Sequence, residues 1–131
     1  MIDIRGRFNT LVQAILEDED IDVVVEGQRY ETKAGQPWLR TVLDNRATEK
    51  AGFGLKRWSG NYHVEVFYPA ARGSEELDRI CGLISGGLEQ TIEDMGGGAR
   101  LYIENSNQGQ IITGQAWVMA PIDTGYIAFE A

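Results

Sequence analysis

Residues 60–95 read GNYHVEVFYPAARGSEELDRICGLISGGLEQTIEDM, and this stretch decides the fold. From Tyr62 to Tyr68 the residues alternate, with Tyr62, Val64, Val66 and Tyr68 on one face and His63, Glu65 and Phe67 on the other. Such alternation predicts a strand with one buried face. Pro69 has no amide hydrogen for a ladder, Gly73 supplies a flexible corner, and Ser74 stands as an N-cap before Glu75 and Glu76, whose charges suit the positive end of a helix dipole. Leu77, Ile80, Cys81, Ile84, Leu88, Ile92 and Met95 then recur at spacings of three and four. They predict one amphipathic helix from the Ser74 cap to Met95, about 30 Å long at ~1.5 Å per residue. Strand, corner and covering helix make an architecture and carry no catalytic motif.

Upstream, Ile4, Phe8, Leu11, Val12, Ile15 and Leu16 fall on one face of a first helix, which Asp3 caps and the acidic run Glu17-Asp18-Glu19-Asp20 ends. That run lacks the glycine turn and spaced ligands of a calcium loop and reads as a solvated turn. Residues 21–26, with Val23-Val24-Val25, predict a short strand closed by Gly27, and Trp38 to Leu43 a second one after the turn-rich Lys33-Ala34-Gly35-Gln36-Pro37. Asp44 to Lys56 is polar and lacks strong periodicity, so it reads as a long loop, a kind of connection that in a compact domain usually carries function.

Downstream, Gly96-Gly97-Gly98 is expected to end the long helix, residues 100–105 to form a strand, Ser106-Asn107-Gln108-Gly109 a hairpin loop, and residues 110–120 a returning strand that Pro121 breaks. After a turn at Asp123-Thr124-Gly125, Tyr126, Ile127 and Phe129 suit a last strand. The expected order is α-β-β-β-α-β-β, followed by that last strand. This is an α+β fold with a mostly antiparallel sheet of five to six strands and two helices packed on one face.

With 131 residues the chain reads as a single domain, residues 1–131. No apolar run is long enough to span a bilayer and the N-terminus lacks a secretory pattern, so a soluble, cytosolic protein is expected. The net charge of −8 argues against holding nucleic acid through phosphate neutralisation. The charge is uneven: residues 29–57 hold Arg29, Lys33, Arg40, Arg46, Lys50, Lys56 and Arg57 against Glu31, Asp44 and Glu49. Cys81, the single cysteine, sits in the apolar stripe of the long helix and reads as a small buried hydrophobe. His63, the single histidine, shares a strand face with Glu65, but no nucleophile elbow or phosphate loop accompanies it, and metal binding would need further His or Cys ligands. Trp38 and Trp117 read as core residues, and Trp58, beside Lys56 and Arg57, as an interface residue. No catalytic residue, cofactor or metal is expected.

The segment Tyr62-His63-Val64-Glu65-Val66-Phe67-Tyr68-Pro69-Ala70, followed by Gly73-Ser74-Glu75-Glu76-Leu77-Asp78 opening a long helix, resembles the tail terminator proteins of lambda-like long-tailed phages and their prophage relatives. Trp38-Leu39-Arg40-Thr41-Val42 after Gly35-Gln36-Pro37 is similar to the prophage relatives, and the likeness covers nearly the whole chain in order of elements. The resemblance implies a structural virion protein and not an enzyme. Its subunits form a homo-hexameric ring on the tail tube protein, stop tube growth and offer the surface to which a head-completion protein is joined. DNA would pass the ring without specific binding, and the protein would be assembled in the host cytoplasm into the virion tail.

A cyclic interface is heterologous and needs two different flanks, which a basic middle segment between acidic ones provides. The expected subunit or tube contacts are therefore Arg46, Lys50, Phe53, Lys56, Arg57 and Trp58, on an extended loop. Two other readings stand beside it. One is another head-tail joint or baseplate component; the other is a small α+β ligand-binding domain or enzyme with a pocket lined by Trp38, Tyr62, His63 and Trp117.

Overall fold

The computed structural model describes residues 3–52 and 54–130; in the second strand it leaves the side chains of residues 46, 47 and 49–52 undescribed. Helix α1 (Ile4–Ile15) precedes strands β1 (Asp22–Val24), β2 (Trp38–Gly52) and β3 (Leu55–Pro69). A 3-10 turn at Ala70–Arg72 leads into helix α2 (Glu75–Leu88), followed by β4 (Ile92–Gly96), β5 (Ala99–Gln108), β6 (Ile112–Thr113) and β7 (Trp117–Glu130). The fold is α+β with two helices, as the sequence implies, but the sheet is mixed and has seven strands, ordered β1-β2-β3-β7-β5-β4 with β6 attached to β7. The pairings are antiparallel except that β1 runs parallel to β2.

The alternation in β3 sorts its side chains as predicted: Tyr62, Val64, Val66 and Tyr68 are buried beneath the helices, and His63, Glu65 and Phe67 face outward. Leu39, Leu43, Leu101, Ile103, Ala120, Ile122 and Ala128 extend the same inner surface. Phe8 of α1 stacks on Tyr62 with ring centroids 4.3 Å apart and meets Tyr126 edge-on at 5.7 Å. Asp3 caps α1 through the Gly6 amide at 2.9 Å. From α2, Leu77, Ile80, Cys81, Ile84 and Leu88 complete the core.

Helix α1 also joins the two sides of the sheet. Arg5 pairs with Glu26, just beyond β1, at 3.3 Å, while Arg7 pairs with Glu93 of β4 at 3.3 Å and donates to the Asp94 carbonyl at 3.5 Å. In a flat six-stranded sheet the outer strands would stand roughly 24 Å apart at ~4.8 Å spacing, while Arg5 and Arg7 are about 3 Å apart along the helix axis. The sheet therefore curls around the helices.

Three expectations are corrected. First, α2 stops at Leu88: Gln90 takes a left-handed φ of 54° and the Thr91 hydroxyl caps the Leu88 carbonyl at 2.9 Å. Ile92 to Gly96 then pairs with β5 across the turn at Gly96-Gly97-Gly98, all at positive φ, so those glycines reverse a hairpin instead of ending a helix. Second, β7 runs unbroken through Pro121 and Gly125, while the segment before it forms only the two-residue β6. The Pro121 carbonyl accepts the Gly109 amide at 2.8 Å, which places the missing N–H in the gap between β5, whose pairing ends at Gln108↔Ile122, and β6. Proline there removes no bond to β3. Third, β5 continues through Ser106 to Gln108, with the Ser106 hydroxyl bonded to that of Thr124 at 2.8 Å, so the expected hairpin loop at 106–109 is mostly strand.

Candidate functional site

The segment Asn45 to Trp58, expected as a loop, is the outer half of a long β-hairpin. Strands β2 and β3 stay in register from Trp38↔Phe67 to Gly52↔Leu55, with irregularities between Asn45 and Ala47 and between Lys50 and Gly52. Strand β7 accompanies β3 as far as Lys56↔Glu130, so the arm is three strands wide almost to its end. Its polar residues offer little intrinsic strand preference. The strand exists because partners flank it, as β propensity is largely a matter of neighbours.

The expected contact residues fall on this arm in different settings. Arg46 and Lys50 stand on β2; their side chains and the whole of Phe53 lie outside the described residues. Lys56 is exposed next to the turn, and Arg57, half-buried, stands across from Glu49 on one side and Phe129 on the other. Trp58 is half-buried and packs against the core on the helix side, with its indole N–H buried and unpartnered. The register places Lys50 directly opposite Lys56. On its other side Lys56 stands across from Glu130 of β7.

The outer margin of β2 is open. Strand β1 pairs only with Trp38 to Arg40, and among the described residues no strand covers positions 41–52. At one point a side chain stands in: the Glu26 carboxylate accepts the Leu43 amide at 2.9 Å and is itself held by Arg5.

The helix-free face of the sheet carries a second set of groups. Trp38 stacks on Phe67 at 4.1 Å, with Tyr30 and Trp117 against it, and Arg40 lies 5.4 Å over the Phe67 ring while pairing with Glu65. Trp38 and Trp117 thus belong to an outer aromatic cluster and not to the core. Tyr62 points to the opposite face and is fully buried, so it cannot line a pocket with His63.

His63 Nδ1 lies 2.6 Å from Asp123 Oδ1, and Nε2 lies 3.9 Å from Glu65 Oε2. The ring borders an open concavity of about 430 Å³ whose other lining includes Val42, Asp44 and Asn61, and an adjoining one of about 280 Å³ adds Glu104, Asn105 and Asn107. A carboxylate that orients an imidazole is half of a general-base arrangement. The lining holds carboxylates and amides but no serine, cysteine or lysine nucleophile.

Cys81 is fully buried, and burial with Asp78 nearby pushes its thiol up to about 12, far from the range of a reactive thiolate. Among the described residues no group of three or more His, Cys, Asp or Glu is placed to hold a metal, and no helix is long and apolar enough to cross a membrane.

No family model and no curated protein matches the chain. Among solved structures 27 chains match. One of them, a protein known by a locus identifier alone, superposes with a TM-score of 0.71 over 96% of each chain at 20% identity, and the likeness at that level is one of fold.

Proposed function

We propose that the chain is a tail terminator subunit, a structural virion protein and not an enzyme. Copies close into a hexameric ring on the last layer of tail tube protein, halt its polymerisation and present the surface that a head-completion protein joins. The observation that carries the reading is the basic arm. In a chain of net charge −8, four basic residues against one acidic residue gather between Arg46 and Arg57, Arg46 and Lys50 on β2, whose outer margin no strand covers among the described residues, and Lys56 and Arg57 on β3. A head-to-tail ring needs two unlike, complementary flanks, and this arm supplies one of them. The strand-proline-corner-helix segment from Tyr62 to Asp78, which carries the resemblance to the phage family, is built here as β3, the 3-10 turn and α2. Ring closure leaves DNA to pass an acidic protein without specific binding, and the finished ring resides in the virion tail. Another head-tail joint or baseplate role shares these features.

The test mixes the protein with the tail tube protein of the same phage or prophage and measures tube lengths by negative-stain microscopy. Capped tubes of limited length are expected; tubes that elongate as they do without the protein would refute the role. A second reading, a ligand-binding or hydrolytic site at His63, draws on the 2.6 Å contact with Asp123. It requires that His63→Ala abolish a ligand-induced rise in melting temperature, whereas the terminator role leaves tube capping by that variant intact.

A further inference from the structure

Strand β1 ends at Val24, yet the next acceptor its ladder calls for is present in another form. The Asp22 amide donates to the Pro37 carbonyl at 3.1 Å, which, with the pairs Asp22↔Trp38 and Val24↔Arg40, fixes the parity of this parallel ladder. In such a pair each bonding residue engages the two neighbours of its partner. Continued to Glu26, the ladder would direct the Glu26 amide to the Thr41 carbonyl and the Glu26 carbonyl to the Leu43 amide. In the structure Glu26 does satisfy the Leu43 amide, but with its side chain: the carboxylate accepts it at 2.9 Å and is itself held by Arg5 at 3.3 Å. The backbone turns away over residues 25–28. There the Gln28 amide donates to the Val25 carbonyl at 3.0 Å, the Val25 amide donates to the Gln28 side chain at 3.1 Å, and Gly27 takes a φ of 93°.

We infer that residues 25–28 form a conformational switch at the edge of the sheet, in which the Glu26 carboxylate and the Glu26 carbonyl take turns at the Leu43 amide. Bent, the segment ends β1 at Val24 and leaves the margin of β2 open from Thr41. Extended, it lengthens β1 to Glu26 and closes that margin as far as Leu43. The bent form gives up two ladder bonds and gains the bonds of the turn and the carboxylate contact. Such bonds differ little in net worth, so the side chains that hold the bend decide the balance. Arg5 is the handle: its pair with Glu26 is 48% and 33% exposed and therefore weakly held, and whatever draws Arg5 away frees the carboxylate. Because an uncovered strand margin is a template for another chain, the switch sets how much of β2 is offered for pairing. It goes beyond the ring reading above and does not depend on it.

Amide hydrogen exchange, read by NMR at residues 26 and 43, separates a switch from a simple cap. Glu26→Ala removes the carboxylate. The Leu43 amide should then lose less than about 3-fold of its protection, because the carbonyl of residue 26 takes over, while the amide of residue 26 should gain about 10-fold. Gly27→Val should raise protection at residue 26 with Glu26 in place: nothing lies within 4 Å of a Cβ there, so only the positive φ of the bent form opposes the new side chain. Melting curves first establish that each variant is folded, and Gly27→Val, which leaves Glu26 and Arg5 intact, carries the test alone should Glu26→Ala not fold. If the Leu43 amide of folded Glu26→Ala protein loses protection by about 10-fold or more while residue 26 exchanges as before, the carboxylate is a cap and there is no switch. Folded Gly27→Val protein in which residue 26 exchanges as in the native chain would overturn the inference equally.

Discussion

Replacing Asn9 tests how α1 is fixed to the sheet. Its Oδ1 accepts the Tyr62 hydroxyl at 2.6 Å and the Thr41 hydroxyl at 3.1 Å, and both donors are buried, Thr41 1% exposed and Tyr62 fully covered. Asn9→Ala leaves two hydroxyls without their acceptor, at about 1–3 kcal/mol each, for a gross loss of roughly 2–6 kcal/mol. The better helix propensity of alanine offsets this by about 0.5 kcal/mol. For a domain of this size 1 kcal/mol shifts the melting temperature by roughly 3–5 °C, so a drop of about 5–25 °C is expected by calorimetry or circular dichroism. Asn9→Asp keeps the acceptor and should lose much less. Tyr62→Phe removes one donor and should cost about 1 kcal/mol in the native background but almost nothing beside Asn9→Ala, because the orphaned hydroxyl disappears with it. A drop under about 3 °C for Asn9→Ala, or equal costs for Tyr62→Phe in both backgrounds, would refute the shared-acceptor account.

The helix α2 offers a paired contrast. A Cβ at Gly86 meets nothing within 4 Å, whereas one at Gly87 would lie 2.6 Å from Ile15 Cδ1. Gly86→Ala should therefore raise the melting temperature by about 3 °C through helix propensity, and Gly87→Ala should gain less or lose, as measured in the same scan. Burial raises the phenol of Tyr126 to about 12 and that of Tyr62 further, and burial with Asp78 raises the Cys81 thiol to about 12. Because the unfolded chain gives up these protons first, their contribution to stability is intact below about pH 8.5 for the thiol and about pH 10 for the phenols, and is lost as pH rises toward the folded values. Denaturant midpoints should fall above pH 10 and recover in part for Tyr126→Phe. A thiol reagent at pH 8 should leave native Cys81 unmodified and react fully once denaturant is added; rapid labelling of the native protein would show that the helix side opens readily.

Where burial on one face alternates or repeats cleanly, the elements could be read from the residues alone. That holds for β3, for the apolar face of α1 and for the first four turns of α2. The misreadings share one cause: a local pattern compatible with two structures, resolved by a distant partner. Ile92 and Met95 continue the helical spacing of Leu88, yet they also fit an alternating strand, and pairing with β5 decides for the strand. Pro121 and Gly125 look like breaks in β7, but neither interrupts its ladder with β3. The arm from Asn45 to Trp58 has almost no apolar signal because its register comes from β3 and β7. Of the expected contact residues, Arg46, Lys50, Lys56, Arg57 and Trp58 have their backbone on that arm; Trp58 packs against the core, and the side chains of Arg46 and Lys50 and the whole of Phe53 lie outside the described residues. The outer aromatic cluster was missed because a tryptophan in a strand is usually placed inside, although Trp38 and Phe67 have the same parity as His63 in the ladder.

The strap formed by α1 has a consequence for the order in which the chain is made. Helix α1 is translated before every partner it has and finds them late: Glu26 soon after, Tyr62 midway, Glu93 and Tyr126 only when most of residues 1–131 have followed. Phe8 must wait, exposed or loosely held, until the two tyrosines that flank it have been translated, and contacts of such sequence separation fold slowly. Crowded growing chains therefore present an amphipathic helix with no seat, and a chaperone that shields residues 4–16 during synthesis should raise the yield of folded protein more than one that acts after release.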